Sequence, residues 1–273
     1  LFKWLLLFAG AGLLYLWIKG KKQAELNRGN SSKPNKNKPE KAVAAPEVVV
    51  QCECCKVHLP KSEALIFDDR FYCSNEHLQA LDSKGWVGDA RWHISPNQDA
   101  RPEHVQPDLV VIHHISLPPG EFRNQSSSHH IVDFFQNKLD PNAHPYFAEI
   151  ADQKVSSHFL ITRSGELIQF VSTQGKAWHA GKSNFQGREK CNDFSIGIEL
   201  EGDGDTLFEA AQYLVLAQLI KKLMSTYPLL QFAGHSDIAP DRKTDPGISF
   251  DWKKFQKETA IPVEKLPFGI SSR

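Results

Sequence analysis

Neither sign of charge is in excess in this sequence: 32 Lys and Arg balance 32 Asp and Glu over 273 residues. No global basic field therefore draws the chain to nucleic acid, and no strip of basic residues interleaved with aromatics supplies one locally. Evenly paired cysteines are missing too. The five Cys are an odd number, and Cys52, Cys54, Cys55 and Cys73 crowd into one short stretch while Cys191 stands apart. This argues against a disulfide framework and for a metal site in a reducing compartment. What is present is apolar residues at 41%, with six Trp, enough for one sizeable core and something smaller.

The N-terminal stretch "LFKWLLLFAGAGLLYLWIKGKK" holds an apolar run from Trp4 to Ile18, extended by Leu1 and Phe2 if Lys3 snorkels to the headgroups. It reads as a transmembrane anchor over residues 1–20. Trp4, Tyr15 and Trp17 suit an interfacial belt, and the Lys-rich segment that follows places the soluble part on the cytoplasmic side of the inner membrane, as a single-pass protein. A periplasmic location is the alternative. "AVAA" at 42–45 has the composition of a signal-peptide cleavage site but lies far beyond the apolar segment. Residues 21–48, rich in Lys, Asn, Pro and Ser, have little to bury and read as a disordered linker.

Residues 49–82 follow with "QCECCKVHLPKSEALIFDDRFYCSNEHLQAL". Cys52 and Cys55 form a C-x2-C knuckle, and Cys73 with His77 a C-x3-H pair on one face of a short helical turn. Four ligands in two pairs suit a tetrahedral structural zinc. Cys54 and His58 compete for a place, but Cys54 lies inside the knuckle, where its side chain should point away. The stretch resembles a small membrane-anchored zinc-binding family of bacteria that carries this pattern. A closed four-ligand site leaves no position for a substrate, and the protein partner of such a module is unknown.

From residue 84 the pattern changes to alternating strands and helices. "DLVVIHHIS" reads as a buried strand, "SSHFLITRSGELIQFVS" as a hairpin turning at Ser164 and Gly165, and "FSIGIELEG" as another strand. Apolar residues at helical spacing predict a helix from Thr206 to Tyr227, and a shorter one from about Phe250 to Glu258. The expected class is α/β, a mixed sheet flanked by helices. His113 and His114 must point to opposite faces of their strand, so only one can join His235 and Asp245 of "GHSDIAPDRKTDPG". A lone strand His is more often structural. Two His and one Asp from separate segments, however, are a set that leaves catalytic zinc one open position.

Five segments, "VVIHHISLPPGEF", "DPNAHPYFAEIA", "VSSHFLITRSGELIQFV", "AWHAGKSNFQGREKCNDFSIGIELEG" and "GHSDIAPDRKTDPG", together resemble the AmpD-type zinc-dependent N-acetylmuramoyl-L-alanine amidases of cell-wall recycling. That family shares its fold with peptidoglycan recognition proteins. The resemblance implies a domain over residues 84–263 with His113, His235 and Asp245 as zinc ligands. It implies hydrolysis of the amide between the lactyl group of 1,6-anhydro-N-acetylmuramic acid and L-Ala, so the partner is a muropeptide. Glu199 would be the general base and Lys243 the oxyanion cation, although alternation alone puts Glu201 on the same strand face as Glu199. Trp178 and His179 would form a substrate wall. Lys154 and Lys190 stand where Arg is expected to meet stem-peptide carboxylates, and a Lys offers a point charge in place of a bidentate fork. His114 takes the place of the family's usual Asn. His129, His130 and His144 read as solvated residues near a Ser-rich loop, and Cys191 as a buried thiol. A non-catalytic muropeptide-binding protein is the other class on this fold, but such proteins typically lack a metal ligand. A periplasmic amidase acting on intact peptidoglycan is a further alternative.

The anchor reading has a direct check. Protease added to intact spheroplasts should leave the chain beyond Lys22 uncut, while lysis should expose the Lys-rich linker. Cleavage in intact spheroplasts would place the soluble part in the periplasm.

Overall fold

The structure, a computed structural model, describes residues 47–122 and 125–270. The expected anchor and nearly all of the linker lie outside the described residues. Among those described, no helix is long and apolar enough to cross a membrane.

The first part is built from short pieces: β1 (Val49–Gln51), β2 (His58–Pro60), β3 (Leu65–Phe67), β4 (Arg70–Tyr72) and α1 (Asn75–Gln79). Two antiparallel ribbons, β1 with β2 and β3 with β4, bring the cysteine-bearing segments together. Ser74 caps α1 by accepting from the His77 backbone N–H, which fixes the turn that carries Cys73 and His77.

The larger part contains β5 (Arg91–Trp92), β6 (Gln98–Ala100), β7 (Leu109–Ile115), α2 (Gln125–Phe135), α3 (Pro145–Ile150), β8 (Phe159–Ile161), β9 (Leu167–Gln169) and β10 (Gly175–Ala177). It continues through β11 (Asn184–Phe185), β12 (Arg188–Glu189), β13 (Ser195–Glu201), α4 (Ala210–Thr226), β14 (Gln231–Gly234), α5 (His235–Ile238) and α6 (Trp252–Thr259). Six strands form one mixed sheet in the order β14-β7-β13-β8-β9-β5. The pairings among β14, β7, β13 and β8 are parallel, and β8 with β9 is the antiparallel hairpin. The mixed sheet and the turn through Ser164 and Gly165 are as the sequence predicts.

The register of β13 is set by what each face must bury. Ile196, Ile198 and Leu200 join Val110, Ile112, Phe159 and Ile161 beneath α4 and α6. Each such side chain contributes ~1.5–3 kcal/mol on burial, and a slip of one residue would drive Glu199 and Glu201 into that core instead. Leu160 and Ile168 face the other way, onto Ile131, Phe135 and Phe147 of α2 and α3.

Several local expectations differ in the structure. The predicted helix from Thr206 begins only at Ala210, because Asp203 holds the Thr206 N–H at 2.7 Å in a turn and Gln212 accepts from the Glu209 N–H at 3.0 Å as a cap. The second helix begins at Trp252, where Asp251 accepts from the Lys254 N–H at 2.9 Å. The expected Ser-rich loop is largely helix α2, whose Ile131, Phe134 and Phe135 supply a buried stripe at helical spacing. Within it His130 packs on Phe147. His144, taken for a solvated residue, caps α3 by accepting from the Tyr146 N–H at 3.2 Å.

Residues from Glu47 onward belong to one compact unit. The cysteine-bearing part is fastened to the larger part by polar contacts: Tyr72 Oη donates to Gly88 O at 3.1 Å, and Arg70 Nη2 donates to Ala90 O at 2.6 Å. The Arg70 guanidinium also lies 3.8 Å over the Trp92 ring. At the seam, a Cβ on Gly88 would stand 2.3 Å from the Leu78 carbonyl oxygen. Backbone must therefore move to admit it, so Gly88→Ala should cost about 1–3 kcal/mol and open the 74–88 segment to limited proteolysis. An unchanged melting temperature and digestion pattern would show that the seam does not stabilise the fold.

Candidate active site

Adjacent strands bring the implied ligands together. In the β7–β13 register His113 lies opposite Glu199, and in the β14–β7 register Gly234 lies opposite Ile112, so His235 emerges beside His113. The loop after α5 doubles back: the Lys243 N–H donates to Ala239 O at 3.0 Å and the Ser236 N–H to Asp245 O at 2.8 Å. The ten-residue interval between His235 and Asp245 is thus a closed loop that returns the carboxylate to the histidine. One potential ligand atom from each of His113, His235 and Asp245 lies within 4.8 Å of the others.

Hydrogen-bond directions indicate which imidazole nitrogens carry protons. Ser195 Oγ donates to Cys191 O at 2.6 Å, so toward His179 Nε2, 3.1 Å away, it can only accept. His179 is half-buried, and desolvation first, then the adjacent His113, His158 and His235, hold it well below the usual His range. It is neutral, with its proton on Nε2 and a lone pair on Nδ1. That lone pair faces His113 Nε2 at 2.9 Å, so His113 donates there and keeps Nδ1 bare. Burial, then His235, bring His113 down to about 4, consistent with a neutral ring.

His235 Nε2 donates to Ala180 O at 3.1 Å, which turns its Nδ1 toward Asp245. Both Nδ1 atoms point at Asp245 Oδ2, from 2.8 Å and 3.0 Å. Two ring nitrogens and a carboxylate oxygen that converge in this way form a pocket a cation would fill. Two imidazole nitrogens and one carboxylate oxygen are a donor set that fits zinc with a position to spare.

The two carboxylates of β13 have different surroundings. Glu201 Oε2 accepts from the Arg163 N–H at 2.9 Å. Glu199 Oε2 is buried with no hydrogen-bond partner among the described residues. Burial first, and then the Asp245 charge, push the Glu199 carboxyl well above its usual range, with Lys243 pulling the other way. Glu199, Lys243 and the three ligand residues line one cavity of about 430 Å³, which Glu201 does not reach. His114 also borders it, outside the ligand group, with its Nδ1 unpartnered and its ring against Gly204.

The structure separates the residues expected to meet substrate. Trp178 lines the cavity and donates from Nε1 to Asp99 at 2.9 Å. His179 also borders it, but both ring nitrogens are engaged as described above. Lys154 is exposed beside the lining residues Gln153 and Val155, and Lys190 is exposed in a left-handed conformation with φ 58°. Neither borders the cavity. The cation that does, besides Lys243, is Arg242, whose Nη2 donates to Ala180 O and Lys182 O at 2.8 Å each. Arg242 adjoins Lys243 in "DRKTD", but its place at the cavity is set by its tertiary partners Ala180 and Lys182.

A second group, Cys52, Cys55, Cys73 and His77, also brings its ligand atoms within 4.8 Å of one another. Burial opposes ionisation of Cys52, yet backbone N–H groups of Cys55, Cys73 and Cys54 outweigh it and bring this thiol down to about 6. Cys54 is outside the group, as its place inside the knuckle implies. Cys191 is buried and its thiol is pushed up by that burial.

Comparison with known proteins agrees with this geometry. A family model described as N-acetylmuramoyl-L-alanine amidase matches residues 103–248. The chain is 50% identical over 187 residues to the 1,6-anhydro-N-acetylmuramyl-L-alanine amidase AmpD of Salmonella typhimurium (strain SL1344), covering 68% of this chain and 98% of that protein. It is 51% identical over 178 residues to AmpD of Escherichia coli (strain K12), covering 64% and 95% respectively. A crystal structure of a Se-Met AmpD derivative superposes with a TM-score of 0.62 at 50% identity, over 64% of this chain and 97% of that one.

Metal analysis separates ligands from neighbours. The purified chain should carry about two zinc ions, one for each group. Asp245→Ala and the Cys52→Ser, Cys55→Ser pair should each remove one, while Glu199→Ala should remove none. Loss of metal with Glu199→Ala would make that carboxylate a ligand.

Proposed function

The chain belongs to the N-acetylmuramoyl-L-alanine amidase family, and we propose the following roles for its residues in that activity. The substrate is a muropeptide with the 1,6-anhydro sugar, cut between the lactyl group and L-Ala in cell-wall recycling. The observation that carries the reading is the pairing, in one cavity, of the convergent His113, His235 and Asp245 group with a Glu199 oxygen that has no hydrogen-bond partner among the described residues.

Zinc, when held by those three residues, supplies a Lewis acid that acidifies water and polarises a carbonyl. Glu199 removes the proton from the attacking water and then delivers it to the departing L-Ala nitrogen. Its buried position suits both roles, because a raised carboxyl pKa brings acid and base forms closer in energy near neutral pH. Lys243 places an ammonium beside the same cavity, where it offsets the oxyanion charge of the tetrahedral adduct. Trp178 offers an apolar wall and Arg242 a cation at the rim, while Lys154 and Lys190 stand outside the cavity and can meet only a longer peptide.

The cysteine group holds a structural zinc in this reading, and its four ligands leave no room for chemistry. Residues 1–20 anchor the protein in the inner membrane with the soluble part facing the cytoplasm, which suits a substrate recovered from wall turnover.

Incubation of the purified chain with anhydromuropeptide should release free peptide beginning at L-Ala, detected by mass spectrometry, with much slower release from intact sacculi. Equal rates on both would argue for action on polymer. Glu199→Ala should lower turnover by ~10²–10⁴, and Glu201→Ala far less. The carboxylate form of Glu199 starts the reaction, so the rate must fall as pH drops through its pKa. Lys243 lowers that pKa, so Lys243→Ala should move the acid limb of kcat/KM to higher pH as well as reduce the rate. A limb that stays in place would remove Lys243 from the neighbourhood of the base.

A further inference from the structure

The two histidines facing Asp245 have their outward nitrogens held by different means. His235 Nε2 donates to a backbone carbonyl, that of Ala180. His113 Nε2 instead meets the side chain of His179, and His179 meets Ser195, whose proton goes to Cys191 O. Three donated protons therefore run in one direction, from His113 through His179 and Ser195 to a main-chain oxygen. A histidine as acceptor is ambiguous, because it can receive on either nitrogen. Ser195 removes the ambiguity: its only proton is spent on Cys191, so it must accept from His179.

The surroundings are shaped to keep this chain in place. His179 N–H and Ala180 N–H both donate to Asn192 Oδ1, at 3.1 Å and 2.8 Å. One side-chain oxygen thus anchors the two consecutive residues that orient the two metal-facing histidines. The His179 ring lies directly over Gly197, where a Cβ would stand 2.5 Å from the ring Cγ. Ser195, Gly197 and Glu199 alternate onto the same face of β13. The strand that carries the base thereby also provides the floor under His179 and the hydroxyl that orients it.

We propose that His179 and Ser195 are positioning residues for the metal centre, a relay that fixes the tautomer and the ring orientation of His113 so that its bare Nδ1 faces the ion. This inference rests on the metal reading given under the proposed function. It assigns His179 a role different from the substrate wall expected of it: the ring acts through His113. Such outer partners raise ligand basicity and hold the ring, and their loss typically costs 10–100-fold in metal affinity.

The test measures zinc retained by the purified full-length chain across a graded series of a competing chelator. Asp245→Ala run in parallel subtracts the zinc held by the cysteine group. His179→Leu should weaken the site by ~10–100-fold. His179→Gln should restore most of that affinity, because its amide oxygen can accept from His113 Nε2–H and Leu offers no acceptor. Equal affinity in wild type and His179→Leu would overturn the proposal, as would equal losses in the Leu and Gln variants, which would reduce His179 to packing. If His179→Leu does not fold, Ser195→Ala decides: it removes one hydroxyl, and a roughly tenfold loss supports the relay while unchanged affinity overturns it. A wild-type chain that holds no more zinc than Asp245→Ala would instead sink the metal reading itself, and the relay with it.

Discussion

Around Asp245 Oδ2, the Nδ1 atoms of His113 and His235 approach from 2.8 Å and 3.0 Å, so three potential ligand atoms converge on one point. A cation at that point would bind all three, and much of the neighbouring structure enforces the convergence. The imidazole N–H groups must point outward, so each needs a fixed acceptor in a place where water is scarce. Ala180 O and His179 Nδ1 are those acceptors, and Asn192 fixes the backbone that carries both. Gly197 is glycine because the ring of His179 occupies the space of a side chain there. The convergence of the three candidate ligands is therefore specified by residues that lie outside the group.

The same economy governs β13. Its apolar face anchors the main core, and its polar face would be costly to bury if its groups were unpaired. Ser195 and Glu201 are each satisfied by main-chain partners. Glu199 Oε2 has no such partner among the described residues, and an unpaired buried oxygen gives up stability where reactivity is needed. The exception marks the base more sharply than alternation could, because Glu199 and Glu201 share a face and differ only in what surrounds them.

This difference also explains which features were legible in the sequence. The mixed sheet, the hairpin and the paired strands follow from periodicity, since Ile and Val at alternate positions read the same before and after folding. The clustering of His113, His235 and Asp245 followed from a family likeness with several motifs. What could not be read were interactions set by tertiary neighbours. Asp203 delays helix α4 by binding Thr206, and nothing local announces it. Helix α2 was legible in principle, for Ile131, Phe134 and Phe135 keep a helical interval, but the Ser and His residues before them drew attention to a loop. The roles of His179 and Arg242 depend on partners far away in sequence.

Arg242 shows how closely the rim and the metal centre are joined. Its Nη2 donates to Ala180 O, the same oxygen that accepts from His235 Nε2. A guanidinium bound to that carbonyl makes it a weaker acceptor for the histidine but holds it in a fixed position. The other guanidinium nitrogens are not tied to these two carbonyls, and the residue borders the cavity, where a stem-peptide carboxylate would find a planar donor. One side chain thus holds the carbonyl that meets His235 and forms part of the cavity wall at once. Truncating it would disturb both, so its effects on substrate and on metal can be told apart only when metal occupancy is measured alongside turnover.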